Sequence, residues 1–227
     1  MLPWTLIDSA PVPGDDGEMR LYQRGAEYSI RVGAYELMNN RVHGSEDALA
    51  SIVCERLRER IHDLSQTRLL IGGLGMGFTL AGVLKEAGPR TEIVVAELVP
   101  AVVSWNRGPL GAYAGDPLTD PRVTVRETDV GRIIRTEPGA YDAILLDVDN
   151  GPAALTSRTN NRLYSPPGLR AAFAALRPGG ILAVWSAGPD PAFTKRLQQA
   201  GFTVEQVNVR GRGQAGGSRF LIWLAAR

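Results

Sequence analysis

Ile71-Gly72-Gly73-Leu74-Gly75-Met76-Gly77-Phe78-Thr79 is the stretch on which the reading of this chain turns. It follows a short apolar run, Arg68-Leu69-Leu70-Ile71, and precedes a helical pattern from about Thr79 to Ala87. A glycine-rich bend between a strand and a helix lets the backbone turn tightly and lets a ligand approach its amides closely. The spacing is Gly-x-Gly-x-Gly. The dinucleotide fingerprint needs its third glycine one position later, where Phe78 stands, and the P-loop needs a closing Gly-Lys-Ser/Thr that is absent. The bend therefore suits the methionine and ribose part of an adenosyl ligand, through Gly73, Gly75, Met76 and Gly77. The alternative is a strand-to-helix turn whose backbone simply packs closely.

Outward from this bend the pattern is α/β. Glu92–Ala96, Arg122–Val125, Ala143–Leu146 and Ile181–Trp185 read as further strands, with helices starting near Pro100 and spanning about 168–176 and 191–200. Arg177-Pro178-Gly179-Gly180 reads as a helix stop. Near-continuous apolar strands belong in a parallel sheet covered on both faces, and strand–helix alternation implies a doubly wound fold. Two final strands near 202–209 and 219–225 are joined by a glycine-rich loop with no helix between them, so they must pair antiparallel. The fold class expected is thus a doubly wound, mostly parallel seven-stranded sheet, Rossmann-like, ending in an antiparallel hairpin.

Before the bend, 19–22 and 28–32 alternate at period two and are punctuated by Gly25 and Gly33, which predicts a small N-terminal β-hairpin or meander over 1–44. The catalytic domain is expected over 45–227. Ser45 is placed as the N-cap of a helix carrying Leu49, Ile52, Val53, Leu57, Ile61 and Leu64 at helical spacing. Arg56, Arg58 and Arg60 along it read as a solvated face rather than a basic patch.

Acidic residues close three of the strands. Glu97 ends the second parallel strand twenty residues after Gly77, where a carboxylate can accept from both ribose hydroxyls; Leu98 beside it joins the nucleoside-binding set. Asp129 follows the third strand, either accepting from an adenine amino group with the Val130 amide against the ring, or capping the next helix. Asp147 ends the fourth strand, at the edge where ligands lie in open α/β sheets, and can orient an acceptor or take its proton. The following stretch to Pro167 shows no clear element and is assigned as a lid carrying Tyr164, with Tyr164 as plain packing the alternative. Asp147 and Tyr164 are the catalytic candidates.

Together the Gly-Gly-x-Gly-x-Gly bend, Glu97, Asp129, the Asp147 loop and Leu163-Tyr164-Ser165 resemble the polyamine aminopropyltransferases, the spermidine synthase family, over roughly residues 19–209. The resemblance implies the class I methyltransferase fold, Glu97 as ribose ligand, Asp129 as adenine ligand and Asp147 as catalytic carboxylate. The family bend reads Gly-Gly-Gly-Asp-Gly-Gly-Thr, and its aspartate, which holds the aminopropyl ammonium of decarboxylated S-adenosylmethionine, falls on Met76. The family loop Asp-Ser-Ser-Asp-Pro matches Asp147 at its first aspartate but has Asn150 at its second. The family's Tyr-Gln/His-Glu segment is echoed loosely by Gly44-Ser45-Glu46. These departures favour ordinary S-adenosylmethionine as cofactor and methyl transfer to a small-molecule nitrogen or oxygen acceptor. Aminopropyl transfer from decarboxylated S-adenosylmethionine to a polyamine is the alternative, and a catalytically inactive nucleoside-binding regulatory protein the third reading.

Composition bounds the rest. The chain has 227 residues, 44% hydrophobic and 22% charged, with a formal net charge of +1, which calls for neither nucleic acid nor an anionic membrane as partner. No apolar run is long enough to span a bilayer, and Met1-Leu2-Pro3-Trp4 lacks the basic start of a signal peptide. One cysteine, Cys54, cannot form an internal disulfide. A cytoplasmic location follows, and the resemblance adds a homodimer. His43 and His62 are too isolated to form a metal site. The loop Arg210–Arg219 is basic, read as a solvated hairpin loop or as a recognition element for an anionic acceptor.

Overall fold

Leu69 and Ile71 point into one apolar cluster while Leu70 between them points into another. Ile93 and Val95 likewise part from Val94 and Ala96. Strand side chains alternate between faces, so an unbroken apolar run can exist only where both faces are covered. The computed structural model, which describes residues 2–14, 17–61, 64–148, 151, 160–211 and 216–227, is that of a two-faced sheet. Its strands are β5 (Arg68–Gly72), β6 (Glu92–Glu97), β7 (Val123–Glu127), β8 (Tyr141–Leu146), β9 (Leu176–Ser186), β10 (Thr203–Arg210) and β11 (Arg219–Ala226). Their order is β10-β11-β9-β8-β5-β6-β7. Pairing is parallel from β9 to β7 and antiparallel on both sides of β11, so the expected closing hairpin is present.

One face is covered by α1 (Gly44–Arg60), α2 (Phe78–Glu86) and α3 (Pro100–Asn106), the other by α4 (Val130–Thr136), α6 (Pro166–Ala175) and α7 (Pro191–Gln199). The short α5 spans Asn160–Leu163. Helices α1 and α2 pack closely because Gly82 has no side chain; a Cβ there would come within 2.7 Å of the Ala50 Cβ. From β5 the chain moves to β6 on one side, while β8 lies on the other. The carboxyl ends of β5 and β8 therefore flank the point where the winding reverses, and a crevice opens there.

The N-terminal hairpin proves to be half of a larger unit. Strands β1 (Thr5–Pro11), β2 (Glu18–Arg24), β3 (Glu27–Val32) and β4 (Tyr35–Asn39) form an antiparallel sheet in sequence order. Gly25, at φ 59°, opens the two-residue turn between β2 and β3. β1 leaves little trace in the sequence because nearly all of it is exposed, so it has no buried face to impose alternation.

Three local expectations are corrected. Ser45 is not the N-cap: His43 takes that position without a side-chain cap, and the buried Ser45 hydroxyl donates instead to Glu46 Oε2 at 2.5 Å. The 45–64 helix ends at Arg60. Helix α6 ends at Ala175, where a stop was expected, but Arg177-Pro178-Gly179-Gly180 after it is not a turn and lies inside β9. There it is an irregularity in the pairing with β8, held by the Arg177–Asp142 ion pair at 2.7 Å, and Gly179 takes φ 81°. Arg56 and Arg58 are committed to Glu205 and Glu86, which leaves a paired surface rather than a basic patch.

Candidate functional site

At the bend after β5, Gly73, Gly75 and Gly77 have φ of 87°, 54° and 82°, all in the left-handed region. Two of them also lack room for a side chain. A Cβ on Gly73 would lie 2.5 Å from the Asp147 carbonyl oxygen, and one on Gly75 2.9 Å from Met38 Sδ. The bend is thus wedged between the end of β8 and the N-terminal sheet. From α3, the Asn106 side-chain amide donates to the Gly75 carbonyl at 2.8 Å, which fixes the bend from a third side.

Glu97 reaches this bend directly. One carboxylate oxygen accepts from the Leu74 amide at 2.9 Å and the other from the Val99 amide at 2.8 Å. Burial pushes the Glu97 carboxyl up, and the amides of Val99, Leu74, Leu98 and Gly75 pull it back. The sequence placed Glu97 beside the bend, and the bond to Leu74 puts it there. Asp129 accepts from Gly131 at 2.8 Å as the N-cap of α4, the second of its two expected roles, and it also lines the crevice.

Asp147, at the end of β8, accepts from the Thr79 hydroxyl at 2.6 Å; burial raises its pKa and that hydrogen bond opposes the rise. Facing it from the first turn of α1 is Glu46. Its carboxyl is pushed up to about 7, first by burial and next by the Asp147 charge, with the Ser45 hydrogen bond pulling the other way. Two acids that repel one another in a partly dry space keep a proton between them or wait for a cation. Glu46 had only its position in Gly44-Ser45-Glu46 to mark it, and looked like an ordinary first-turn acid.

These groups line a cavity of about 500 Å³, large enough for a nucleoside with a small acceptor. Gly73, Gly75, Met76, Glu97, Leu98, Asp129, Val130 and Asp147 all contribute to its wall. Met76 is almost fully buried. The sequence reading had no means to see that β2, β3 and β4 close the cavity from above, through Met19, Ile30, Val32 and Met38, or that Trp185 and Phe220 close it at the β9–β11 end. Such contacts come from tertiary arrangement and leave no local spacing.

Tyr164 is not brought to the cavity: it is buried among the α6–α7 side chains, edge-on to Phe193 with ring centroids 5.5 Å apart. Its packing reading is the one the geometry fits. Most of the lid assigned to 148–166 lies outside the described residues, as do Asn150, His62 and residues 212–215 of the basic loop; Ser218 at the loop's end lines the cavity. Among the described residues no His/Cys/Asp/Glu group is placed to hold a metal, and no helix is long and apolar enough to cross a membrane.

The charge of the wall is one-sided. Among its described residues stand Glu36, Glu46, Glu97, Asp129 and Asp147, and not one Lys, Arg or His.

Relatives and solved structures agree with this geometry. No protein-family model matches the chain. A polyamine aminopropyltransferase of Leptospira biflexa serovar Patoc is 34% identical over 126 residues, covering 54% of this chain and 41% of that protein. The matched stretch thus spans less than half the length of this relative. Spermidine synthase from Thermotoga maritima superposes with a TM-score of 0.75 at 17% identity, over 97% of this chain and 72% of that one. A spermidine synthase in complex with the transition state analogue AdoDATO gives 0.74 at 16% identity, over 97% and 72% of the two chains. A carbon methyltransferase, CurJ, gives 0.55 at 19% identity, over 80% of this chain and 54% of that chain. The chain has the class I methyltransferase fold, and over 126 residues it is similar to a polyamine aminopropyltransferase. The methyl-transfer expectation is overturned by these relatives, which carry the aminopropyltransferase and spermidine synthase names. It rested chiefly on Met76, whereas the charge of a cavity is set by its whole wall.

Proposed function

We propose that this chain transfers an aminopropyl group from decarboxylated S-adenosylmethionine to an amine. The carrying observation is the acidic wall: Glu36 and Asp129 have Arg31 and Arg135 nearby, but Glu46, Glu97 and Asp147 line the cavity with no Lys or Arg paired to them among the described residues. A carboxylated cofactor would bring its anion into that field without a basic partner, and the bend amide nearest Glu97, that of Leu74, is already engaged. A decarboxylated tail carries only cations, which Glu46 and Asp147 can pair. The aminopropyl ammonium that no carboxylate at position 76 can anchor is thereby held by this neighbouring pair.

In this reading Glu97 binds the ribose, Asp129 and Val130 face the adenine, and Gly73 and Gly75 admit the tail, whereas Gly77, whose open side faces Asn106, Pro117 and Ala114, shapes the bend without lining the cavity. The acceptor nitrogen, freed of its proton, attacks the aminopropyl carbon next to the sulfonium. The carbon–nitrogen bond forms, the carbon–sulfur bond breaks with its electron pair going to sulfur, and neutral methylthioadenosine leaves. The proton of the incoming ammonium goes to Asp147, which Thr79 orients and whose carboxyl burial pushes up from its ordinary range. Holding both reactants in line supplies much of the remaining rate.

The test is to incubate the protein with decarboxylated S-adenosylmethionine and an amine panel, and to follow methylthioadenosine and aminopropylated amine together by mass spectrometry. Both products should appear in equal amounts. Methylated amine formed from S-adenosylmethionine, with no aminopropylated product, would contradict the proposal.

A further inference from the structure

His43 is not among the described residues of the cavity wall, yet it is joined to both acids of the Glu46–Asp147 pair. It is the N-cap of α1, and its carbonyl oxygen accepts from the Glu46 amide at 3.1 Å and from the Asp47 amide at 3.0 Å. On the other side its ring lies flat on that of Phe78, with centroids 4.1 Å apart and planes 12° apart. Phe78 opens α2, and the next residue, Thr79, donates to Asp147 at 2.6 Å. The two rings thus sit where the first turns of α1 and α2 meet. The Gly82–Ala50 contact lies about one turn further along both helices.

We propose that His43 is a positioning residue: its ring, stacked on Phe78, sets the distance between Glu46 and Asp147, and so the grip of that pair on the cationic tail of the donor. This rests on the aminopropyl reading and deepens it. Two acids in one partly dry space push apart, and here that push would part the first turn of α1 from the end of β8. Parting or sliding the rings would return two apolar faces to water, which opposes the push. His43 Nδ1 lies 2.8 Å from Asp47 Oδ2. A carboxylate only accepts, so Nδ1 carries the hydrogen in either charge state of the ring, and this bond fixes the ring's rotation.

The experiment titrates the unaltered protein, His43→Ala, His43→Asn and His43→Phe with decarboxylated S-adenosylmethionine and with methylthioadenosine, which keeps the nucleoside and lacks the cationic tail. It also records kcat for aminopropyl transfer and the melting temperature. The unaltered protein should prefer the decarboxylated nucleoside. His43→Ala and His43→Asn, which lose the stack, should cut that preference at least about fivefold while methylthioadenosine affinity stays within about twofold. Their kcat should fall about tenfold or more, as it does when reacting groups are misplaced. His43→Phe, which keeps the stack and gives up the Asp47 bond, should remain within about twofold of the unaltered protein in preference and in kcat. Equal loss of both affinities with a lower melting temperature would mean a merely structural role and overturn the inference. So would a preference kept by His43→Asn and lost by His43→Phe, which would give the role to the Asp47 bond. A preference present in the unaltered protein and untouched in all three variants would remove the inference alone. No preference in the unaltered protein would remove the aminopropyl reading and the inference with it.

Discussion

Glu97 and Glu46 are both acids withdrawn from water in the same cavity, yet their surroundings differ. Glu97 is met by backbone amides on both oxygens, from a bend wedged against β8 and the N-terminal sheet. Glu46 has the Ser45 hydroxyl on one oxygen and a second acid, Asp147, opposite. The first carboxylate is satisfied before any ligand arrives and helps to hold the bend in shape. The second is held at a cost that a cation would remove. One end of the cavity is therefore preorganised for a neutral, hydroxyl-bearing group and the other is poised for positive charge, which is the division of labour that a cationic nucleoside and an amine acceptor require.

The sharpest way to separate the two ends is to remove the base without touching the nucleoside wall. Asp147→Asn should lower kcat about 100-fold or more, as loss of a positioned base does, while methylthioadenosine affinity measured by calorimetry stays within about twofold. Gly73→Ala attacks the frame that both ends share. With φ at 87° and the Asp147 carbonyl 2.5 Å from the new Cβ, it should cost at least about 2 kcal/mol in urea unfolding. Wild-type stability in that variant would mean the bend is not constrained as described.

Glu97→Ala should weaken nucleoside binding by ~1–3 kcal/mol through loss of a charge-assisted partner, with the stability loss from two orphaned amides read separately in urea. Unchanged nucleoside affinity would remove Glu97 from the site. Glu46→Gln should have the smallest effect and the opposite sign on stability. The folded-state pKa of Glu46 is raised from 4.5 to about 7, so the fold prefers the protonated acid. Below the unfolded value both states hold the proton and nothing is lost; as pH rises from about 4.5 through about 7 the unfolded state ionises first and stability falls. A side-chain amide at this position cannot ionise, so the variant should melt about 2–4 °C above the unaltered protein at about pH 8, with little difference at about pH 4. Equal melting temperatures at both pH values would show that the Glu46–Asp147 repulsion is not felt.

Much of this architecture could be read without coordinates, because it is written in local patterns. The apolar runs of β5, β6 and β8 announce a two-faced sheet, the helix-free link before β11 requires an antiparallel end, and the glycines of the bend sit where positive φ and close approach demand them. Glu97, Asp129 and Asp147 were legible because strand ends in such a sheet share one edge. What escaped depends on contacts distant in sequence. β1 has no buried face to mark it. Pro178-Gly179-Gly180 carries turn chemistry, but pairing with β8 and the Arg177–Asp142 ion pair absorb it into a strand. Tyr164 has the sequence neighbours of a site residue and the surroundings of a core residue. Glu46 was visible as a letter and not as a charge, since only the fold sets it against Asp147.

The comparison between the two ends is tested most directly by titrating the protein with decarboxylated S-adenosylmethionine and with S-adenosylmethionine in a calorimeter at the same pH and salt. The account predicts at least about tenfold tighter binding of the decarboxylated nucleoside, the scale of one unpaired charge in a partly buried site, and a smaller gap as Glu46 and Asp147 are protonated at lower pH. Equal affinities, or tighter binding of the carboxylated form, would contradict it.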